Sequence, residues 1–240
     1  MKILWFTKFI SDNIKLKERS SYIETLINED KDRINLILRN QGYFFSQVTM
    51  LKEDVGDNKL NIIINIELGK KAKIKKISFI GNKIYKNRKL NNIIASEEYK
   101  FWKVLSGKKY LNENTINLDL RLLKNFYLNN GYYNVLINSS FAKLINDNEF
   151  ELIFNIDAND KVFFGDLTLE LPTDYDENNF QEINDLFKEL KDTRYSINKI
   201  DQILEEIDEV VLDEQYESVE ALVDEKLVSN TLNLKFIVKE

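Results

Sequence analysis

Carboxylates and lysines are the side chains here whose number and spacing could support ion-binding or acid–base chemistry. The acidic sets Glu205, Glu206, Asp208, Glu209 and Asp213, Glu214 could hold a hard cation through oxygen, or face a basic partner. Lys70, Lys71, Lys73, Lys75 and Lys76 could hold phosphate. Cysteine and histidine are absent from all 240 residues. Thiolate zinc sites, disulfide frameworks and Ser-His-Asp triads are therefore excluded. A general base would have to be Asp, Glu, Lys or Tyr. No calcium-loop pattern surrounds the carboxylates, whose helical spacing matches a solvated outer face. The lysines sit where a linker approaches a strand, a common place for solvated cations, and no RNA-binding signature accompanies them. No cofactor, metal or nucleic acid is expected. An α/β module binding nucleic acid through the 70–76 lysines stays open as an alternative of another class. A carboxylate enzyme would need a cleft that this pattern does not offer.

The net charge of −6 is a sum of unlike parts: +5 over residues 1–80, +2 over 81–160 and −13 over 161–240. The last third should repel nucleic acid and anionic membrane surfaces. A hydrophobic fraction of 43% and an aromatic fraction of 12% suffice for packed cores. No apolar run reaches the ~20 residues that span a bilayer. Met1-Lys2-Ile3-Leu4-Trp5-Phe6-Thr7-Lys8-Phe9-Ile10 imitates the start of a signal peptide. Lys8 interrupts it and no small-residue cleavage site follows, so an amphipathic helix is expected.

The elements that would position any site repeat along the chain. Tyr22-Ile-Glu-Thr-Leu-Ile27 leads to Leu38-Arg-Asn-Gln-Gly-Tyr-Phe44. Tyr110-Leu-Asn-Glu-Asn-Thr-Ile116 leads to Phe126-Tyr-Leu-Asn-Asn-Gly-Tyr-Tyr133, and Tyr195-Ser-Ile-Asn-Lys-Ile200 to Leu212-Asp-Glu-Gln-Tyr-Glu-Ser-Val219. The tyrosine after Gly, or after its substitute, falls at 43, 132 and 216, spacings of 89 and 84. Each copy ends in an alternating apolar run: Leu60 to Ile66, Phe150 to Ile156 and Leu232 to Val238.

In the middle copy, Ile74, Ile77 and Phe79 predict a short strand ending at the turn pair Gly81-Asn82. The spacing of Leu90, Ile93 and Ile94 predicts a helix over 87–95. A loop carries Phe101 and Trp102. A second helix opens on Asn112 as N-cap and sets Ile116, Leu120, Leu123 and Tyr127 on its inner face. It closes at Gly131 in the left-handed region, with Tyr132 folding back on Phe126 or Tyr127. Strands over 133–143 and 149–157 follow, joined through Asn146-Asp147-Asn148. The plan is β-α-α-β-β, an α+β fold. The third copy predicts a strand over 162–171, a helix over 179–190, and a second helix facing inward with Ile200, Leu204, Ile207 and Val211. Gln215 replaces the glycine there. A left-handed glutamine costs about 1 kcal/mol, so a different helix exit is expected. The first copy has no opening strand, which places the start of the chain inside a repeat, as in a fragment or a late gene start. The domains read as 1–70, 71–159 and 160–240, with short linkers at 68–71 and 158–161.

A tandem of such units resembles polypeptide-transport-associated (POTRA) domains. Ile74-Lys-Lys-Ile-Ser-Phe-Ile-Gly-Asn82, Phe101-Trp-Lys-Val-Leu-Ser-Gly-Lys-Lys-Tyr110 and Phe126-Tyr-Leu-Asn-Asn-Gly-Tyr132 are similar to the third POTRA domain of the BamA family of outer-membrane protein assembly factors. By that match the three copies correspond to domains two to four. The resemblance covers nearly the whole chain, sharply over 72–157 and more weakly over 161–240. Two parts of the family pattern are missing, the opening strand of the first copy and a C-terminal membrane β-barrel. The resemblance implies a non-enzymatic periplasmic scaffold, the soluble part of an outer-membrane protein. Such a scaffold receives unfolded outer-membrane β-barrel proteins and docks accessory assembly lipoproteins. Its membrane attachment would run only through the barrel. A TamA-like or two-partner-secretion transporter carries similar domains and is the nearest alternative.

With three strands in this connectivity, the last strand pairs centrally and the second becomes an edge. Val135, Ile137, Asn138, Ser139, Ser140 and Phe141 are then the candidate partner-binding edge, where an extended peptide could pair. Asn138, Ser139 and Ser140 interrupt the apolar alternation, which suits a bulge or a wet edge. Trp102, beside Phe101, is a possible partner anchor, although such pairs more often cap a core. Phe44-Phe45 and Tyr132-Tyr133 read as one inward and one outward residue at a strand start.

Overall fold

The fold follows from two local periods, 3.6 in the helices and 2 in the strands. The computed structural model describes residues 2–100, 107–143, 146, 148–216 and 220–239, so Phe101, Trp102 and Asp147 lie outside the described residues. The first repeat consists of α1 (Lys2–Asn13), α2 (Glu24–Asn40), β1 (Gln47–Gly56) and β2 (Lys59–Glu67). The second has β3 (Lys73–Ile80), α3 (Asn87–Asn91), α4 (Glu113–Leu128), β4 (Leu136–Lys143) and β5 (Glu149–Asp157). The third has β6 (Phe163–Glu170), α5 (Gln181–Leu190), α6 (Ile197–Asp213), β7 (Glu220–Val228) and β8 (Thr231–Lys239).

Sheet order is β3-β5-β4 in the second repeat and β6-β8-β7 in the third, with the last strand central in both. In the third sheet β6 runs parallel to β8 and β7 antiparallel. Among the described residues the first sheet is the β1-β2 pair. Alternation decides which face is buried. Phe150, Leu152, Phe154 and Ile156 of β5, and Leu232, Leu234, Phe236 and Val238 of β8, are all core residues. The matching Ile62, Ile64 and Ile66 of β2 are only half-buried, because a two-stranded sheet covers them incompletely.

By contact density the chain forms two compact units, and neither is a single repeat. One comprises Met1–Phe79, Ile94–Leu120 and Ser139–Phe154, the other Ile80–Ile93, Arg121–Asn138 and Asn155–Glu240. Each unit contains one junction between repeats. In the first unit Ile10, Ile34, Leu38 and Val48 form a buried cluster, flanked by Tyr43, Ile64 and Ile66.

Three sequence-based boundaries shift. The helix expected over 87–95 stops at Asn91. Asp119, fully buried on α4, takes the amides of Ala95 at 2.6 Å and Ser96 at 3.2 Å, which a continuing helix would give to its own carbonyls. Asp30 stands 89 residues earlier and does the same job, accepting from the amides of Lys15 at 2.8 Å and Leu16 at 2.7 Å just beyond α1. The third repeat has the buried Ile203 at this position. Second, β4 begins at Leu136 rather than at 133, since Tyr132 is spent closing the helix and Tyr133 reaches into the next repeat. Third, on α6 the buried positions are Ile200, Ile203, Ile207 and Val211, with Leu204 half-buried.

The helix exit of the third repeat also departs from expectation. Gln215 has φ 58°, alongside 89° at Gly42 and 94° at Gly131. The next amide bonds back to the same carbonyl in every copy: Tyr43 to Leu38 at 2.9 Å, Tyr132 to Tyr127 at 3.0 Å and Tyr216 to Val211 at 3.1 Å. Glutamine does not redirect the exit; it adopts the left-handed form. Tyr175 stacks on Tyr216 at 3.8 Å between ring centroids, and the Asp176 amide donates to the Tyr216 hydroxyl at 3.1 Å. These contacts hold the turn in place.

Two measurements follow. Gln215→Gly should raise stability by up to about 1 kcal/mol in urea unfolding, while Gly131→Ala should lower it, because a Cβ there would meet Arg194 Cγ at 2.5 Å. Burial pushes the Asp119 carboxyl above its usual range, against the opposing pull of its hydrogen bonds. The folded state therefore holds that proton at higher pH than the unfolded chain does, and acidification toward pH 4 favours folding at this residue. The stability gap between wild type and Asp119→Asn should shift in favour of wild type as pH falls from 7 to about 4.

Candidate strand-acceptor site

Strand β4 lies at the edge of its sheet, so half of its backbone N–H and C=O groups point away from β5. Its side chains alternate without a break: Val135 is buried, Leu136 exposed, Ile137 half-buried, Asn138 exposed, Ser139 half-buried and Ser140 exposed. That alternation places Ser139 toward the sheet's inner face and Asn138 and Ser140 toward its outer face. Phe141 is engaged elsewhere. Its ring meets Phe44 at 5.0 Å and Phe45 at 5.8 Å, and Phe45 stacks on Phe150 at 4.7 Å. The Phe44-Phe45 pair expected to flank a strand start therefore reaches from the first repeat onto the second.

The other two second strands differ in charge. Strand β1 carries Lys52, Glu53 and Asp54 mid-strand, and β7 carries Asp224, Glu225 and Lys226. Charges of this kind discourage edge pairing. Strand β4 has none before Lys143. At the start of β4 an open groove of about 970 Å³ is walled by Asn134, Leu136, Asn159, Lys161, Phe163 and Asn230. Leu136, 63% exposed, stands at its rim.

The lysine cluster has partners within the protein. Lys71 lies over the rings of Tyr43 and Tyr110, and Lys73 over Tyr99. Lys75 pairs with Glu149 at 3.5 Å, and Lys76 with Glu151 at 2.8 Å. A phosphate backbone would have to compete with each of these. The acidic residues of α6 are largely exposed, as a solvated face would be. Among the described residues, no group of three or more carboxylates could hold a metal ion.

Sequence reasoning did not find the junctions. At the first, the Gly42 carbonyl accepts the Ala72 amide at 2.9 Å; at the second, the Gly131 carbonyl accepts the Val162 amide at 2.7 Å. Asn40 and Asn129, again 89 apart, cap the next repeat's second helix in trans. Asn40 Oδ1 accepts from the Asn114 amide at 3.2 Å, and Asn129 Oδ1 from the Asn198 amide at 2.9 Å. A helix N-terminus has orphan N–H groups, and here the preceding repeat supplies the acceptor. Tyr133 meets Tyr195 at 5.1 Å and donates its hydroxyl to Glu225. That bond, helped by burial, pushes the Tyr133 phenol up to about 12. The recurrence of Asn at the repeat spacing was the available signal.

The β-α-α-β-β plan can now be compared with known proteins. A family profile described as "POTRA: Surface antigen variable number repeat" matches residues 6–69 and 72–159. The chain belongs to the POTRA family. It is 34% identical over 97 residues to the outer membrane protein assembly factor BamA of Neisseria meningitidis, covering 40% of this chain and 12% of that protein. It is 28% identical over 120 residues to BamA of Buchnera aphidicola, covering 47% of this chain and 19% of that protein. The POTRA chain thus spans less than a fifth of the length of these relatives. The crystal structure of Haemophilus influenzae BamA POTRA domains 3–5 superposes with a TM-score of 0.61 at 16% identity, covering 98% of this chain and 91% of that one. The resemblance in sequence pointed to domains two to four. Tandem units sharing one plan superpose in more than one register, so this superposition establishes the POTRA fold and not the domain number.

Asn129→Ala should cost roughly 1 kcal/mol, as the loss of a helix cap does. Hydrogen exchange should then rise at the Asn198 amide, with the α4 interior unaffected.

Proposed function

We propose that this chain is a periplasmic scaffold segment of an outer-membrane β-barrel assembly machine. It receives extended segments of unfolded outer-membrane proteins by strand addition at β4 and docks accessory lipoproteins. One observation carries the reading: of the three second strands, β4 is the edge without charge before its last residue, Lys143. Backbone pairing is largely indifferent to side chains, as a receiver of many different strands requires. The Asn-Ser-Ser stretch keeps that edge wet while leaving its N–H and C=O groups open to an incoming strand. The groove at Leu136 gives such a strand room to enter. Membership in the POTRA family and the BamA names of the relatives support the assembly setting. No helix among the described residues is long and apolar enough to cross a membrane. Work at such an edge calls for no side-chain chemistry, in keeping with a non-enzymatic role. Trp102 stays a proposed partner anchor.

A photocrosslinker at Ser140 should capture unfolded outer-membrane proteins, and one at the charged edge residue Lys226 should not. Equal capture at both positions, or capture at Lys226 alone, would remove β4 as the acceptor. With the crosslinker at Ser140, Asn138→Lys should reduce capture without unfolding the domain, read by thermal melting.

A further inference from the structure

The loop between β3 and α3 contains a backbone conformation that its sequence does not favour. Ile84 sits at φ 56°, in the left-handed region where a β-branched residue is an outlier. Its side chain gains no burial in exchange, being 56% exposed, and neighbouring Ile80 is 50% exposed. The surrounding structure holds the loop from several sides. Tyr127 donates its hydroxyl to the Lys83 carbonyl. The Ala158 amide donates to the Asn82 carbonyl at 3.0 Å. Tyr85 packs edge-on against Phe126 at 4.8 Å and Tyr127 at 5.4 Å. Gly81, at φ 81°, lets the loop lie against Ile156, whose carbonyl oxygen would be 2.5 Å from any Cβ there. Strain imposed by so many neighbours, at a residue aimed at water, marks a position kept for contact rather than for the core.

Along the sequence, the segment that carries this apolar tip has charge of one sign. Residues 68–96 hold nine basic residues and no acidic one. In the 70–76 cluster, Lys75 and Lys76 pair with carboxylates. Beside Ile84, Lys83 donates to Asn87 at 2.6 Å, and Lys89 lies over the rings of Tyr85 and Phe126. Lys86 and Arg88 are exposed.

We propose that the loop over 81–87 is a preformed docking knob for a folded, acidic protein partner. Ile84 fills an apolar socket on that partner, and Lys86 and Arg88 face carboxylates on the socket's rim. A single fixed aliphatic anchor within a charged rim suits a protein pocket, whereas holding a membrane surface takes a broader apolar face. An unfolded strand has no socket to offer, so this surface is distinct from β4. The proposal rests on the scaffold reading for its setting and adds a second site with its own class of partner.

A photocrosslinker at exposed Asn82, in the full-length chain in its own cell, tests this. The expected result is one discrete adduct, identified by mass spectrometry as a protein of net negative charge. Ile84→Gly, and separately the pair Lys86→Glu and Arg88→Glu, should each cut its yield at least about tenfold, as loss of a central anchor does. Ile84→Gly should at the same time hold or raise the melting temperature, since glycine is at ease at this φ. That pairing separates docking from folding. No adduct, an adduct indifferent to these changes, or a ladder of unfolded barrel proteins overturns the proposal. So does Ile84-dependent retention of the chain on vesicles of phosphatidylethanolamine and phosphatidylglycerol. The Ser140 crosslinker in the same cells reports the scaffold reading separately: capture there with none at Asn82 removes the knob alone.

Discussion

Each repeat depends on one residue held in the left-handed region at the end of its second helix. That residue frees its carbonyl from the helix. In the first two repeats the freed carbonyl accepts an amide at the start of the following one, Gly42 from Ala72 and Gly131 from Val162. Consecutive repeats are therefore joined by backbone bonds, to which Asn40 and Asn129 add a helix cap in trans. Gln215 shows that the turn itself tolerates a side chain. What requires glycine at position 131 is the approach of Arg194, which leaves no space for a Cβ. At Gly42 the crowding comes from Tyr110, whose Cβ would lie 3.1 Å from an added Cβ.

Because the junctions use helix ends and linker backbone, the strands remain available for other contacts. Two of the three second strands carry charges mid-strand, and β4 does not. The aromatic cluster of Phe44, Phe45, Phe141 and Phe150 narrows what β4 offers, anchoring its later half and leaving Leu136 to Ser140 as the open stretch. The same sheet therefore supplies an aromatic contact and the proposed pairing edge, divided along one strand.

Buried carboxylates are the other recurring device. Asp30 and Asp119 each accept two amides from the segment after the first helix, which satisfies backbone groups that no helical carbonyl reaches. Burying a charge has a cost, evident in the raised pKa of Asp119. The third repeat fills the site with Ile203 instead. Its first helix, α5, runs ten residues where α3 runs five.

Much of this fold was legible in the residues alone. Alternation in Phe150 to Ile156 and Leu232 to Val238, i to i+4 spacing along α4 and α6, and tyrosines at 43, 132 and 216 all express local geometry, so they survive without knowledge of neighbours. The edge position of β4 followed from connectivity. Other features depended on which distant groups meet. An aspartate on a helix reads as a solvated residue until the amides of Ala95 and Ser96 are found beside it. Five lysines read as a phosphate patch until Glu149, Glu151 and three tyrosine rings are placed against four of them. Phe141 read only as an edge residue, and the structure adds ring contacts with Phe44 and Phe45. The left-handed backbone of Ile84 is held from outside its own loop. Local periods are set by the chain's own covalent geometry and determined the repeat and its elements. Desolvation, ion pairing and imposed strain exist only between groups remote in sequence, and the tertiary structure alone decided those.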